Sequence, residues 1–460
     1  MTSPNSSRSA IVLGGGLAGM LTAAALADQA ETVTIIERDH LPSKAAPRRG
    51  LPQARHAHVL YSGGARAIES LLPGTHDQWL EAGARRVPLP TGLVTLTAQG
   101  WLRRCPEMQY MIVCSRDLLD HVVRQQVLAL STVSLVDGAE AIRLTGDAGR
   151  ITGVVIRDAS GTESRLEADL VVDATGRGSS ASQWLAPLGL PAVPELAVDS
   201  GLAYASRIFE APAGTDGFPA VGIQPDPRRP VPGQSATLLP IEDGRWLVTL
   251  SGTRGGQPSK AEEEFIPFAR QVRHPLVGDL IADARPLTDV HVTHSTVNRR
   301  RLYEKARGWP AGFVVLGDAV ATYNPIYGQG MTVAAQGAAT LRQIVRARGL
   351  EAGIARDVQR AIGRLVQGPW DLATGQDILY PGATGQQPPA AAKLLRGYMD
   401  RLMLTATGRA ATCQALFDVL TLSAPLTRLV SPTIAIGVLR GPGKPPLAEP
   451  PLSSLGRTTA

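Results

Sequence analysis

The sequence predicts an α/β chain with an α+β insert. A Rossmann-like nucleotide-binding domain is built from two separated stretches, with an antiparallel-sheet domain between them and a helical C-terminal region after them. Three observations predict this. Residues 11–37, IVLGGGLAGMLTAAALADQAETVTIIE, read as a strand, a Gly-rich turn, a helix and a second strand ending in an acid. Residues 313–332, FVVLGDAVATYNPIYGQGMT, read as a strand ending in Gly317-Asp318, then a Pro-containing loop that opens a Gly-rich helix. From about 185 to 300 the pattern changes to short extended runs.

In the first segment Gly14, Gly16 and Gly19 fill a GxGxxG template, with Leu17 and Ala18 at its variable positions. Gly14 permits the tight turn, Gly16 lets backbone N–H groups approach a pyrophosphate, and Gly19 lets the helix pack on the sheet. The helix N-terminus carries roughly half a positive charge toward the phosphates. Glu37 closes the next apolar run about 20 residues on, where a carboxylate accepts ribose hydroxyls and disfavours a 2′-phosphate; Arg38 follows it. Residues 9–27 are uncharged over 19 positions, a length that also fits a signal peptide or a membrane helix. Three consecutive glycines, each costing about 1 kcal/mol against Ala in a helix, argue for the nucleotide turn.

Residues 41–58 form a Pro- and Arg-rich connection. Residues 59–72 and 116–130 have helical spacing, the second with Leu118, Leu119, Val122, Val123 and Leu128 mainly along one stripe. Residues 151–157 and 166–173 read as strands leading into Ala174-Thr175-Gly176-Arg177-Gly178. In the insert, ATLLPIE and RWLVTLSG are joined by an Asp243-Gly244 hairpin turn, and AEEEFIPFARQV follows as a helix. The nucleotide domain thus takes residues 1–180 and 310–345, and the substrate-binding sheet 181–309. Residues 346–440 form the helical region, and 441–460 a loosely ordered Pro-rich tail.

Asp318 can hydrogen-bond a ribityl hydroxyl or cap a helix. Glycines after Asn324-Pro325-Ile326-Tyr327 let backbone N–H groups reach a ring carbonyl, and the following helix stabilises negative charge on a reduced flavin. In this order the two segments supply what one FAD needs at its two ends.

The 460 residues carry a net charge of +6, mainly from Arg spread along the chain. No basic stripe is interleaved with aromatics, which argues against nucleic acid. Cys105, Cys114 and Cys413 cannot all pair and lack CxxC spacing, so a reduced cytoplasm is expected, with no metal site. His56 and His58, two apart, would share a face of a strand; a hydrogen-bonded structural role is expected for His56.

The chain resembles the para-hydroxybenzoate-hydroxylase-like FAD monooxygenases, and within them the epoxidases of polyether ionophore biosynthesis, the monensin and lasalocid type. The segments that carry this are RRGLPQARHAHVL (48–60), CSRDLLD (114–120), DLVVDATGRGS (169–179), LPIEDGRWLVTLSGTRGG (239–256), STVNRRR (295–301) and LGDAVATYNPIYGQGM (316–331). The resemblance spans roughly residues 8–440. It assigns Gly14, Gly16, Gly19 and Glu37 to the ADP half of FAD. Arg116 would reach the phosphates or the adenosine edge, and Arg48, with Arg49 as the alternative, would lie over the pyrophosphate. Asp318 would hold the ribityl chain, and Pro325, Gly328, Gly330 and Met331 the isoalloxazine. It implies non-covalent FAD reduced by NADPH, NADH or a partner reductase, with O2 as cosubstrate. A flavin C4a-hydroperoxide would carry the chemistry, so no catalytic side chain is assigned. The implied activity is epoxidation of a hydrophobic linear polyene polyketide, with a flavin reductase or a downstream epoxide hydrolase as partner. No membrane span is expected, because Asp418, Pro425, Arg428 and Pro432 break the C-terminal apolar segment. An aromatic hydroxylase is the alternative; a non-redox protein that keeps the fold is the second. Aromatic residues are only 4% of the chain, so an apolar chamber would be mainly aliphatic, which suits a polyene better than a stacked ring.

Overall fold

Short apolar runs buried on both faces suit a parallel sheet covered by helices. In the computed structural model, which describes residues 8–294, 296–351, 353–387 and 390–452, four such runs and a half-exposed edge strand form one. They are β1 (Ser9–Leu13), β2 (Thr32–Glu37), β3 (Val133–Asp137), β4 (Leu170–Asp173) and β5 (Phe313–Val315), in the order β5-β4-β1-β2-β3. Register aligns Leu13 with Asp173 and Ile36, and Asp173 with Val315. The carboxyl ends of the central strands therefore finish at one level, and strand order reverses beside β1. Open α/β sheets bind ligands at such a point.

Helix α1 (Leu17–Leu26) has nine of its ten residues buried, as a helix between two layers must. It packs against both α2 (Arg116–Leu128) and α3 (Gly330–Arg348). Strand β5 and helix α3 thus return the chain to the unit that β1 and α1 began.

The second layer is a seven-stranded sheet with residues 203–210, 245–252, 234–241 and 220–223 at its centre. Asp243 and Gly244, at φ 60° and 62°, form the expected hairpin turn. Leu93–Thr97 and Gly100–Trp101 join this sheet, so its strands come from both sides of residue 180. Alternation gives the sheet two faces. Phe209, Trp246, Val248 and Leu250 pack on the helices Glu262–Gln271 and Leu276–Leu280. The opposite face is polar at Tyr204, Ser206 and Thr249, and aliphatic at Ile208, Leu239 and Leu247. Helices Ala410–Leu420 and Pro432–Arg440 cover the aliphatic half.

Several local expectations change. The run 166–173 is not one strand: Glu163–Glu167 pairs antiparallel with Ile151–Asp158, and the chain crosses into the parallel sheet where Asp169 exchanges hydrogen bonds with Ser9. The helix expected from residue 59 begins at Ser62, after a short strand at Leu60–Tyr61. His56 and His58 share no strand, because Pro52–Arg55 forms a 3-10 turn that His56 closes. Residues 441–452 are not loose: Leu447 bridges to Trp101, and Arg103 donates to the Pro445 carbonyl at 2.6 Å. Residues 453–460 lie outside the described residues. Among the described residues no helix is long and apolar enough to cross a membrane.

Candidate functional site: two glycine-rich turns at the sheet's carboxyl edge

The Gly-rich turn leaves β1 with Gly14 at φ 99°, where a Cβ would lie 2.6 Å from the Ala174 carbonyl oxygen. A Cβ at Gly19 would lie 1.7 Å from the Gly14 oxygen, so only glycine allows α1 to come this close. At Gly16 a Cβ would meet nothing within 4 Å. It stands at the N-cap of α1, with no side chain capping the helix. A crowded Gly14 and Gly19 and an open Gly16, beside unpaired helix N–H groups, fit a pyrophosphate.

Glu37 is buried at the end of β2. Its Oε2 accepts the Gly15 N–H at 2.6 Å and pairs with Arg48 Nη2 at 3.0 Å, while Oε1 accepts the Asp39 N–H at 3.0 Å. Arg48 also donates to the Gly15 carbonyl at 2.9 Å, with its side chain 7% exposed. The expected ribose acceptor is therefore already tied to the expected phosphate cation and to the turn. Arg38 is exposed, on the Gly50 side of this cluster.

Arg116 is not the surface ion pair that its helix position alone suggests. It is buried in the first turn of α2, bonded to Asp120 at 2.7 Å. A cation at a helix N-terminus opposes the dipole, and Asp120 offsets that. Ser115 caps the helix through Leu118 N–H, and its own N–H donates to buried Glu242 at 2.8 Å. The 239–256 segment thus braces the helix that presents Arg116.

Asp318 lies in the turn after β5. Gly317 holds φ 66° there, and a Cβ on it would sit 2.8 Å from the Ala18 Cβ. Asp318 makes no side-chain cap; its Oδ1 is 3.9 Å from the Cβ position of Gly330, the first residue of α3. Burial pushes its pKa up, and Arg177 and Arg116 oppose this. Arg301 supports the turn by donating to the Ala319 carbonyl at 2.9 Å. Arg177 was not singled out from sequence, although its segment was. Its neighbour Asp173, fully buried, accepts from Thr175 N–H and Oγ1 and from Ser179 Oγ, which fixes the turn that carries Arg177.

Pro325–Tyr327 forms a 3-10 turn that closes at Gly328, φ 64°. A Cβ on Gly328 would meet Val59 at 2.8 Å and Tyr61 at 3.2 Å. Met331 is buried in the first turn of α3. The Gly14–Gly19 turn, Asp318 and Gly330 gather at one edge, and Pro325–Gly328 faces the 56–61 segment.

His56 is neutral and structural. It bonds Ser206 Oγ and Thr293 Oγ1, each at 2.8 Å, and burial, with His291 nearby, lowers its pKa to about 4. His58, bonded to the His56 carbonyl, is lowered to about 3 by burial and then by Arg116.

Residues 8–348 match the family model described as FAD binding domain. The chain is 31% identical over 396 residues to Protein Rv3254 of Mycobacterium tuberculosis (strain ATCC 25618 / H37Rv), covering 83% of this chain and 82% of that protein. It is 30% identical over 355 residues to kynurenine 3-monooxygenase of Salinispora arenicola (strain CNS-205), covering 73% and 72%. In fold it is similar to a flavoprotein/dehydrogenase from Cytophaga hutchinsonii, with a TM-score of 0.65 and 13% identity over 94% of this chain and 99% of that one.

Proposed function

From a chain that belongs to the FAD binding domain family, we propose an FAD-dependent monooxygenase that epoxidises alkenes of a linear, apolar polyene polyketide. Bound FAD, once reduced by NADPH, NADH or a partner reductase, supplies the activation of O2. One oxygen atom of O2 enters the alkene and the other leaves as water, with two electrons from the donor. Gly14, Gly16, Gly19 and Glu37 would hold the ADP half, with Arg48 and Arg116 at the phosphates. Asp318 would take the ribityl chain, and Pro325, Gly328, Gly330 and Met331 the ring.

The observation that carries the substrate reading is the aliphatic half of the sheet face. Ile208, Leu239 and Leu247 pack with Leu416 and Phe417 in the same cluster as Val59 and Tyr61, the two side chains that meet Gly328. Substrate space opening beside this packed apolar cluster would exclude water from the ring side and favour a flexible hydrocarbon chain. Alkene epoxidation also needs no general base, and burial makes His56 and His58, beside this cluster, weak proton acceptors by lowering their pKa.

A second reading, an aromatic hydroxylase, is favoured by the 30% identity to kynurenine 3-monooxygenase. Product mass spectrometry under 18O2 separates the two. Substrate-dependent NAD(P)H and O2 consumption with one 18O per alkene is the expected result. Efficient hydroxylation of a phenol or aniline, with only H2O2 formed from polyenes, would establish the aromatic reading instead. No consumption with any substrate would leave the non-redox alternative. A cytoplasmic setting and an epoxide hydrolase acting on the product belong to the same proposal.

A further inference from the structure

One buried carboxylate stands outside everything assigned so far. Asp377 is the last residue of the helix Ile354–Asp377 and is 1% exposed. An anion at a helix C-terminus meets the negative end of the dipole, and burial adds a desolvation cost. Burial pushes its pKa up, and what pulls it back is four neutral donors rather than a cation. Oδ2 accepts Asn298 Nδ2 at 2.7 Å, Asn324 Nδ2 at 2.8 Å and Ser200 Oγ at 3.4 Å; Oδ1 accepts the Tyr327 hydroxyl at 2.7 Å. Nothing in the helix itself needs this carboxylate.

The donors show what it organises. Asn324 and Tyr327 are the two ends of the turn that precedes Gly328. Asn324 is bonded at both ends of its amide: Nδ2 donates to Asp377, and Oδ1 accepts the Ile326 N–H at 3.2 Å and the Tyr204 hydroxyl at 2.8 Å. Its own N–H donates to Asn298 Oδ1 at 2.7 Å. One carboxylate therefore ties the turn to the strand Asn298–Arg301, to Ser200 and, through Asn324, to the large sheet.

Resting on the reading that residues 325–331 face the flavin ring, we propose that Asp377 is the positioning residue for that face. It gathers Asn298, Asn324 and Tyr327 so that the Pro325–Gly328 backbone is preset before the cofactor arrives. A preset turn loses less order on binding, and its removal should show in the flavin as well as in the protein.

The test uses the full chain with Asp377→Asn, Tyr327→Phe and, as a control on the same helix, Asp371→Asn. FAD is titrated into each apoprotein, and the visible absorption bands of the bound flavin are recorded. Asp377→Asn puts an N–H donor among the existing donors and should raise the FAD dissociation constant about tenfold or more and shift the bands. Tyr327→Phe removes one donor only, and should move both readouts the same way by less. Asp371→Asn should match the parent. If the parent binds FAD while both network variants bind it equally well with unshifted bands, Asp377 is merely a fold element and the proposal is wrong, even if melting falls. A parent that binds no FAD would overturn the cofactor reading itself, and this proposal with it.

Discussion

The Gly317 backbone rests on Ala18 so closely that a Cβ at Gly317 would lie 2.8 Å from the Ala18 Cβ. This contact joins the turn after β5 to the first turn of α1, two segments about 300 residues apart in the chain. It sets the turn that carries Asp318 beside the glycine turn and brings together two motifs that are each common alone.

Gly317→Ala should therefore be harmful twice over. It places a side chain at φ 66° and forces it against Ala18. A non-glycine left-handed residue costs about 1–3 kcal/mol before any clash. Urea unfolding should show a loss of at least that size; an unchanged midpoint would mean the turn relaxes freely and the contact is loose.

Gly16→Ala and Gly19→Ala should part company. The Gly19 methyl would lie 1.7 Å from a backbone oxygen, so this variant should lose about 2–3 kcal/mol or fail to fold. The Gly16 methyl meets no protein atom, so folding should be intact. Its effect should fall on FAD instead, with a dissociation constant about tenfold higher. Parent-like FAD binding by Gly16→Ala would remove the pyrophosphate assignment from that position.

What was legible in the sequence and what was not divides along physical lines. Most of the parallel sheet shows because its inner strands are apolar runs, whereas the half-exposed edge strand Val133–Asp137 does not; the insert shows because Asp243-Gly244 is a turn with few alternatives. Gly14, Gly16 and Gly19 show because steric need leaves a fixed spacing. Asp377 left no local trace: an acid near the end of a long helix reads as surface, and only folding brings it under Asn324. The pairing of Glu37 with Arg48 was hidden for the same reason, since each had been matched to a different part of the cofactor. Arg116 shows the reverse case: its helix position suggests a solvated pair, yet its pair with Asp120, one turn on in the same helix, is buried, and Glu242 braces that helix from the large sheet by accepting the Ser115 N–H.

Asp318→Ala should weaken FAD retention more than folding. The side chain caps no helix, so little local structure depends on it. A charge-assisted hydrogen bond to a ribityl hydroxyl is worth roughly 1.5–3 kcal/mol, which would appear as a higher FAD dissociation constant with apoprotein melting unchanged. Equal FAD affinity in parent and variant would take the ribityl role away from Asp318.

Acid should destabilise this protein through its neutral histidines. The pKa of His56 is lowered in the fold from 6.5 to about 4, chiefly by burial. Above the unfolded value neither state holds the extra proton, and the full stability is present. As pH falls toward 4 the unfolded chain takes up a proton that the folded chain refuses, so stability is lost across that window and His56 adds no further loss below it. At about pH 5 the linkage amounts to about 2 kcal/mol for His56. His58, lowered to about 3, acts in the same direction and extends the loss further into acid. Urea midpoints measured for the parent and for His56→Gln at about pH 7.5 and about pH 5 isolate the term. The variant loses the bonds to Ser206 and Thr293 and should start lower, yet it should fall less between the two pH values. Parallel falls in parent and variant would mean that His56 is protonated in the folded protein, with its hydroxyl partners turned to accept.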